Sequence, residues 1–126
     1  MKILVVDDEK LLVKGIKFNL ENEGYTVDAG YDGEDAVSMA RTGNYDLIIL
    51  DLMLPGIDGF ETMKRLRDEE GGNGEIPVIF LSETDDEEEK GLAMGALDFI
   101  KKPFVPNVVS MRVGRAVEAI ASRGRN

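Results

Sequence analysis

The fold is decided by the stretch Asp46-Leu47-Ile48-Ile49-Leu50-Asp51, in which four branched apolar residues lie between two carboxylates. Short continuous runs of this kind are typical of strands that are buried on both faces of a parallel sheet. Similar runs occur at residues 3–6 and 78–81 and, more weakly, at residues 96–100. Residues 25–29 alternate between polar and apolar side chains, which favours a strand at the edge of the sheet.

Helical patterns separate these five runs. The first repeats apolar residues from Leu12 to Leu20 and is followed by Gly24 as a stop signal, and the last has Pro106 near its start. The other three cover residues 36–43, 60–66 and 85–94. Strand and helix thus alternate five times, which predicts an α/β fold with helices on both faces of a parallel sheet. We predict a flavodoxin-like (βα)5 doubly wound five-stranded sheet in the order 2-1-3-4-5.

Length and composition favour a single domain with no basic surface. We predict a domain over residues 1–121, a mobile loop at 71–75 and a frayed tail at 122–126. The 126 residues include 15 Lys and Arg against 25 Asp and Glu, a net charge of −10. Such a charge disfavours direct contact with nucleic acid or an anionic membrane. No apolar run is long enough for a membrane span or a signal peptide, and we expect a cytoplasmic protein.

The residue types that are missing limit the possible chemistry. The chain has no Cys and no His, so neither thiolates nor imidazoles are available as nucleophiles, bases or metal ligands. Any reaction must therefore use carboxylates, lysines, hydroxyl groups or a bound metal ion.

Polar residues follow four of the predicted strands. Asp7 and Asp8 follow the first, Asp51 the third, Ser82 the fourth, and Lys101 and Lys102 the fifth. Because ligands of an open α/β sheet bind beyond the carboxyl ends of its strands, we expect these side chains to converge. Read singly, each has an ordinary explanation: a helix cap for residues 7–9, a turn residue for Asp51, a loop hydroxyl for Ser82 and surface charge for the lysines.

Taken together, the same residues predict a phosphoryl acceptor that depends on a metal ion. Clustered carboxylates repel one another, and Mg²⁺ (or Mn²⁺) relieves that repulsion with oxygen ligands. We predict Asp8 and Asp51 as direct metal ligands with Asp7 beside them. Asp51 is ionised without a base and can attack phosphorus. Ser82 and Lys102 would then bind the phosphoryl oxygens.

Four segments, in order and in register, resemble the response-regulator receiver family of two-component signalling. They are ILVVDDE (3–9), DLIILDLMLPGIDG (46–59), PVIFLS (77–82) and GALDFIKKPF (95–104). The resemblance covers nearly the whole chain. It implies that Asp51 is the phosphoacceptor and that Lys102, rather than Lys101, is the essential lysine, with a cis peptide bond before Pro103. It also implies that the backbone carbonyl of Met53 binds the metal.

The same resemblance implies how the protein signals. The phosphoryl donor would be a sensor histidine kinase, a phosphotransfer protein or an acyl phosphate. Phosphorylation would move Ser82 and turn Phe99 inward, which would change the face formed by helix 4, strand 5 and helix 5 and so control a downstream effector protein. The chain would not be an enzyme beyond its own phosphoryl transfer and self-dephosphorylation. Self-dephosphorylation is expected to be slow, because Met53 and Thr84 orient water poorly.

Two features depart from the family pattern. Glu83 follows Ser82 where the family usually has a small residue, and a bulky anion there is expected to narrow access and disfavour an arriving phosphoryl group. The stretch from Ser82 to Lys102 is shorter than usual, and Gly91 and Gly95 weaken helix 4 further.

Three alternative functions share this fold. A flavin or nucleotide binder needs a Gly- or hydroxyl-rich loop after strand 1, where this chain has two carboxylates. A small-molecule phosphatase with an aspartyl nucleophile usually has a second Asp two residues later, where this chain has Met53. A pseudo-receiver, which folds and binds partners without phosphorylation, is kept open by Glu83 and the short helix 4.

Overall fold

The computed structural model describes residues 1–68 and 76–123, and within them five strands alternate with five helices. The elements are β1 (Lys2–Val6), α1 (Lys10–Asn22), β2 (Thr26–Gly30), α2 (Gly33–Gly43), β3 (Leu47–Asp51), α3 (Gly59–Asp68), β4 (Val78–Ser82), α4 (Glu88–Ala93), β5 (Asp98–Lys101) and α5 (Pro106–Arg123). The predicted loop at 71–75 lies outside the described residues, as do residues 124–126 of the predicted tail. Ser122 belongs to α5.

All strands pair in parallel, in the order β2-β1-β3-β4-β5. The predicted flavodoxin-like topology is therefore confirmed, and the alternating strand β2 lies at one edge. The three central strands are buried along almost their whole length. This burial explains why their sequences are continuous apolar runs: both faces of a strand in a doubly wound sheet are covered by helices.

The sheet separates two apolar cores, because successive side chains of a strand point to opposite faces. Leu4, Ile48 and Phe80 face the core beneath α2, α3 and α4. Ile3 and Ile49 face the other core, which is closed by the apolar sides of α1 and α5. The polar strand ends are thus held on a frame that is packed from both sides.

The glycines at the ends of α1 and α2 have different functions. Gly24 follows α1 with φ +97°, as a stop signal requires. At the end of α2, however, Asn44 and not Gly43 adopts the left-handed conformation, with φ 53°. Gly43 lies against the ring of Tyr45, which a Cβ would overlap. That glycine is required for packing.

Helix α4 is shorter than predicted. The acidic pattern suggested a helix over residues 85–94, whereas α4 covers only Glu88–Ala93. Two hydroxyl groups explain the difference: Ser82 Oγ accepts the N–H of Thr84 at 3.2 Å, and Thr84 Oγ1 accepts the N–H of Asp86 at 3.1 Å. Such side-chain bonds compete with the first turn of a helix.

Gly59 brings the start of α3 against the end of β3. Its N–H donates to the carbonyl of Leu52 at 2.9 Å, and a Cβ there would stand 2.6 Å from the carbonyl oxygen of Asp51 and 2.7 Å from Cα of Leu52. These neighbours are backbone atoms that carry Asp51, so they cannot move without displacing that residue.

We therefore expect Gly59→Ala to lower the free energy of unfolding by about 3 kcal/mol, as overpacking against backbone does. The matched control is Gly15→Ala in α1, where, apart from the adjoining residues and backbone of the helix itself, no atom of the described residues lies within 4 Å of the added methyl group. Ala in a helix interior should stabilise the control by about 0.5 to 1 kcal/mol. Urea unfolding followed by far-UV circular dichroism measures both, and equal stabilities of the two variants would contradict the expected close packing at Gly59.

Candidate functional site

The carboxyl ends of β1, β3, β4 and β5 carry the polar residues singled out in the sequence. Asp7 follows β1, Asp51 ends β3 and Ser82 ends β4. The register pairs Val6 with Leu50 and Asp51 with Leu81, so these residues lie at one edge of the sheet. The N–H of Lys102 donates to the carbonyl of Ser82 at 2.6 Å, which extends the β4–β5 pairing by one residue and places Lys102 beside the others.

Three carboxylates meet at this edge. Asp7, Asp8 and Asp51 each offer one oxygen, and these oxygens lie within 4.8 Å of one another. Asp7 is fully buried and Asp51 is 3% exposed, whereas Asp8 is exposed to solvent. The set is therefore a partly buried acidic cluster with one side open to water.

Lys102 is the ammonium that faces this cluster. Its Nζ lies 2.7 Å from Oδ2 of Asp7, 3.4 Å from Oδ1 of Asp51 and 3.5 Å from Oε1 of Glu9. Asp7 and Lys102 are both buried, so Asp7 Oδ2 and Lys102 Nζ form a buried ion pair. The peptide bond between Lys102 and Pro103 is cis, as the family resemblance implied.

Burial and mutual repulsion shift the acid–base properties of the cluster. Burial raises the pKa of Asp51 to about 6, and the negative charge of Asp7 adds to that rise, although Lys102 opposes it. Burial also raises the pKa of Asp7, against the opposing effect of the nearby Lys102 ammonium. For Lys102, burial acts to lower the pKa, but close contact with Asp7 and the charges of Asp51 and Asp7 outweigh it and raise that pKa.

The charge imbalance predicts that Asp51 destabilises the metal-free fold at neutral pH. Because its pKa is raised from 3.8 to about 6, folding disfavours its ionised form. The free energy of unfolding therefore falls as the pH rises from 3.8 to about 6, and the loss is complete above that range. In EDTA, Asp51→Asn should therefore be more stable than the unchanged protein by about 2 kcal/mol at neutral pH, with little difference near pH 3.5.

Urea unfolding at the two pH values tests this expectation, with Asp68→Asn at the exposed end of α3 as control. A stability gain for Asp51→Asn that is equal at both pH values would contradict it.

The remaining predicted residues lie around the cluster. Ser82 is buried, and its hydroxyl accepts the N–H of Thr84. The backbone N–H of Met53 bonds the carboxylate of Asp51, while the Met53 residue is 71% exposed. Phe99 is turned inward, 5% exposed, and lies in the core beneath α4. Asp7, Asp8, Asp51 and Lys102 thus meet in one cluster, and Ser82 and Met53 adjoin it at the strand ends. Phe99 is a core residue that already lies inward in this structure, so the inward turn expected on phosphorylation is not a movement available from this conformation.

Glu9 was missed as a member of the site. The sequence suggested it only as part of an acidic helix start, but as the N-cap of α1 its side chain forms no capping bond. It reaches Lys102 instead. The signal for it was weak: a third acid directly after Asp7 and Asp8. Capping alone therefore does not account for these acids.

Comparison with known proteins identifies the class of protein that this fold and site define. The family model described as "Response regulator receiver domain" matches residues 3–113. The chain belongs to this family, whose members are signalling domains of two-component systems and not classical enzymes.

Individual relatives agree with this assignment. The chain is 46% identical over 114 residues, which is 89% of its length, to the alkaline phosphatase synthesis transcriptional regulatory protein PhoP of Bacillus subtilis, and it spans 46% of that protein. Chemotaxis response regulator CheY4 of Vibrio cholerae is 31% identical, with a TM-score of 0.83 over 90% of this chain and 96% of CheY4. Response regulator TrrA of Thermotoga maritima, solved in complex with Mg(2+)-BeF, is 32% identical, with a TM-score of 0.79 over 90% of this chain and 96% of TrrA.

The chain thus covers about half the length of its curated relative PhoP. Among residues 1–68 and 76–123, no helix combines the length and hydropathy that a bilayer crossing needs. Membership of the receiver family argues against the flavin-binding and phosphatase alternatives, while a pseudo-receiver would share the same fold.

Proposed function

We propose that this chain is a phosphorylation-dependent switch in which Asp51 accepts a phosphoryl group with the help of Mg²⁺ (or Mn²⁺). The observation that carries the proposal is the meeting of three carboxylates with the Lys102 ammonium at the carboxyl edge of the sheet. Chain positions from 7 to 102 contribute to this cluster, and a purely structural role would not require so many like charges together.

The residues present fit a hard divalent cation. Asp7 Oδ2 is buried and contacts the ammonium of Lys102 at 2.7 Å, but Asp51 and Glu9 share that one ammonium, so the cluster keeps a negative charge that a divalent cation would offset. Oxygens within 4.8 Å of one another suit Mg²⁺, which takes oxygen ligands and keeps several waters. We assign Asp8 and Asp51 as direct ligands, with Asp7 beside them and the Met53 carbonyl as a further ligand. The relative TrrA was solved in complex with Mg(2+)-BeF, which supports a Mg²⁺ site in this chain.

Phosphoryl transfer to Asp51 requires the ionised carboxylate, which predominates above a pKa of about 6 in the metal-free protein and which a bound cation would favour further. A carboxylate oxygen of Asp51 forms the new bond to phosphorus as the bond between phosphorus and the donor breaks, and the leaving group keeps that electron pair. Lys102 neutralises charge on the phosphoryl oxygens, and the Ser82 hydroxyl donates a hydrogen bond to one of them. A bound divalent cation would neutralise the remaining charge on the same oxygens.

Movement of Ser82 links phosphorylation to α4. In this structure the Ser82 hydroxyl accepts the N–H of Thr84, which starts the turn before α4. A rotation of the Ser82 side chain that carries Oγ toward a phosphoryl oxygen would move Oγ away from the N–H of Thr84 and so weaken a bond of the turn before α4. Phe99 lies 3.4 Å from the position of a Cβ on Gly91 of α4. We infer that these contacts change the face formed by α4, β5 and α5.

The partners that we propose follow from membership of the receiver family. Phosphoryl donors would be a sensor histidine kinase, a phosphotransfer protein or an acyl phosphate, and the output would be control of a downstream effector protein. PhoP is described as a transcriptional regulatory protein, but a net charge of −10 disfavours direct contact of this chain with nucleic acid.

Intact-mass spectrometry after incubation with acetyl phosphate and Mg²⁺ tests the proposal. We expect a mass gain of one phosphoryl group per chain, located on Asp51 by fragmentation, and no gain when EDTA replaces Mg²⁺. A chain that stays folded yet takes up no phosphoryl group with Mg²⁺ would instead be a pseudo-receiver.

A further inference from the structure

A cavity of about 440 Å³ opens beside Lys102, and two of its lining residues are acidic. Glu9 and Glu83 contribute carboxylates, while Leu12, Pro103 and Phe104 supply apolar walls. The ammonium of Lys102, which also lines this cavity, lies 3.4 Å from Asp51. Glu83 directly follows Ser82 at the end of β4, beside the strand that carries Asp51, so the charges of this wall act on a phosphoryl donor that approaches Asp51.

Lys102 cannot offset these two additional charges. Its ammonium already faces the carboxylates of Asp7 and Asp51, and Glu9 lies 3.5 Å from it. Glu83 adds a further exposed carboxylate directly after Ser82. Five carboxylates thus stand against one ammonium: those of Asp7, Asp8, Asp51, Glu9 and Glu83. Even a bound divalent cation would leave this set negative, and a negative site disfavours an anionic ligand.

The size of the cavity does not discriminate between small donors, since acetate and ammonia are both much smaller than it is. Charge does discriminate. At neutral pH an acyl phosphate is a dianion whose leaving group departs as a carboxylate. Phosphoramidate is a monoanion whose nitrogen already carries its proton, so it departs as neutral ammonia when the phosphorus–nitrogen bond breaks and the Asp51 oxygen takes its place.

We propose that Glu83, together with Glu9, makes this receiver selective for phosphoryl donors linked through nitrogen over acyl phosphates. The inference depends on the proposed function of Asp51 as the phosphoacceptor. Glu83 acts as a specificity-determining residue at the donor side of the site: its carboxylate repels both the dianionic donor and the departing carboxylate.

Initial rates of phosphoryl uptake with acetyl phosphate and with phosphoramidate, measured by intact mass in Mg²⁺ at low salt, test the proposal. Glu83→Gln removes the charge and keeps the shape. We expect it to raise the acetyl phosphate rate roughly threefold to tenfold, as expected for unit charges several ångströms apart near a surface, and to change the phosphoramidate rate less than about twofold. The gain should shrink as salt screens the charges.

Two control variants separate charge at this site from other causes. Glu83→Asp keeps the charge in a smaller side chain and should retain the original ratio of the two rates. Glu21→Gln removes one exposed charge near the end of α1, so it changes net charge equally and should leave the ratio unchanged.

An equal rise with both donors in Glu83→Gln would show that the side chain only narrows access, and an unchanged ratio would show that its charge has no effect; either result overturns the inference. Failure of the unchanged protein to take a phosphoryl group from either donor would reject the proposed function itself, which is a different result.

Discussion

Replacement of Asp51 by Asn should abolish uptake of a phosphoryl group from acetyl phosphate in the presence of Mg²⁺. The amide has no ionised oxygen to attack phosphorus, and the chain has no histidine that could substitute. Neither neighbouring carboxylate is expected to replace Asp51 as the acceptor. Asp7 is fully buried and in contact with Lys102, and Asp8, which is exposed, is assigned as a metal ligand. Intact-mass spectrometry should therefore show the unmodified mass alone, where the unchanged protein gains one phosphoryl group.

Loss of uptake must be separated from loss of the fold. Because the raised pKa of Asp51 reports that its charge opposes folding, Asp51→Asn should unfold at a higher urea concentration than the unchanged protein at neutral pH. Asp68→Asn, an exposed acid at the end of α3, is the matched variant that should keep full uptake. A phosphoryl adduct of the same rate and yield in Asp51→Asn would disprove the assignment of the acceptor.

Replacement of Lys102 by Met should cause the largest loss of stability among the site variants. Lys102 is 7% exposed and is the cation that faces buried Asp7 and Asp51. Its removal leaves buried carboxylates without compensation, which is expected to destabilise the metal-free protein by about 3 kcal/mol at neutral pH. Unfolding in urea with EDTA, followed by far-UV circular dichroism because the chain has no Trp, measures this difference.

The neighbouring lysine is the matched control. The Lys101 side chain is 56% exposed and pairs with Asp85 at 3.4 Å on the surface, so Lys101→Met should change stability by less than about 1 kcal/mol. Acidification should reduce the defect of Lys102→Met, because protonation of the carboxylates removes the uncompensated charge, and Mg²⁺ should reduce it at neutral pH. Equal effects of the two substitutions would contradict the buried position of Lys102.

The fold was predictable because each central strand is both apolar and short. The sequence of Leu47 to Leu50 has no period that could suit a half-exposed element, and β3 is indeed buried along its length. The order 2-1-3-4-5 followed from alternation and from the handedness of crossovers. The start of α4 was not predictable from its acidic pattern, because the competing bonds come from Ser82 and Thr84 in the connection before it.

The sequence by itself determined which groups stand at the carboxyl ends of the strands, because the strand boundaries fix the positions of Asp7, Asp51, Ser82 and Lys102 along the chain. Only the tertiary structure decided which of these groups are buried, which of them form ion pairs and how their pKa values shift. The buried ion pair of Asp7 with Lys102 and the raised pKa of Asp51 are examples, as is the contact of Glu9 with Lys102. Burial and separation in space set electrostatic energies, and neither can be read from positions 93 residues apart in the chain.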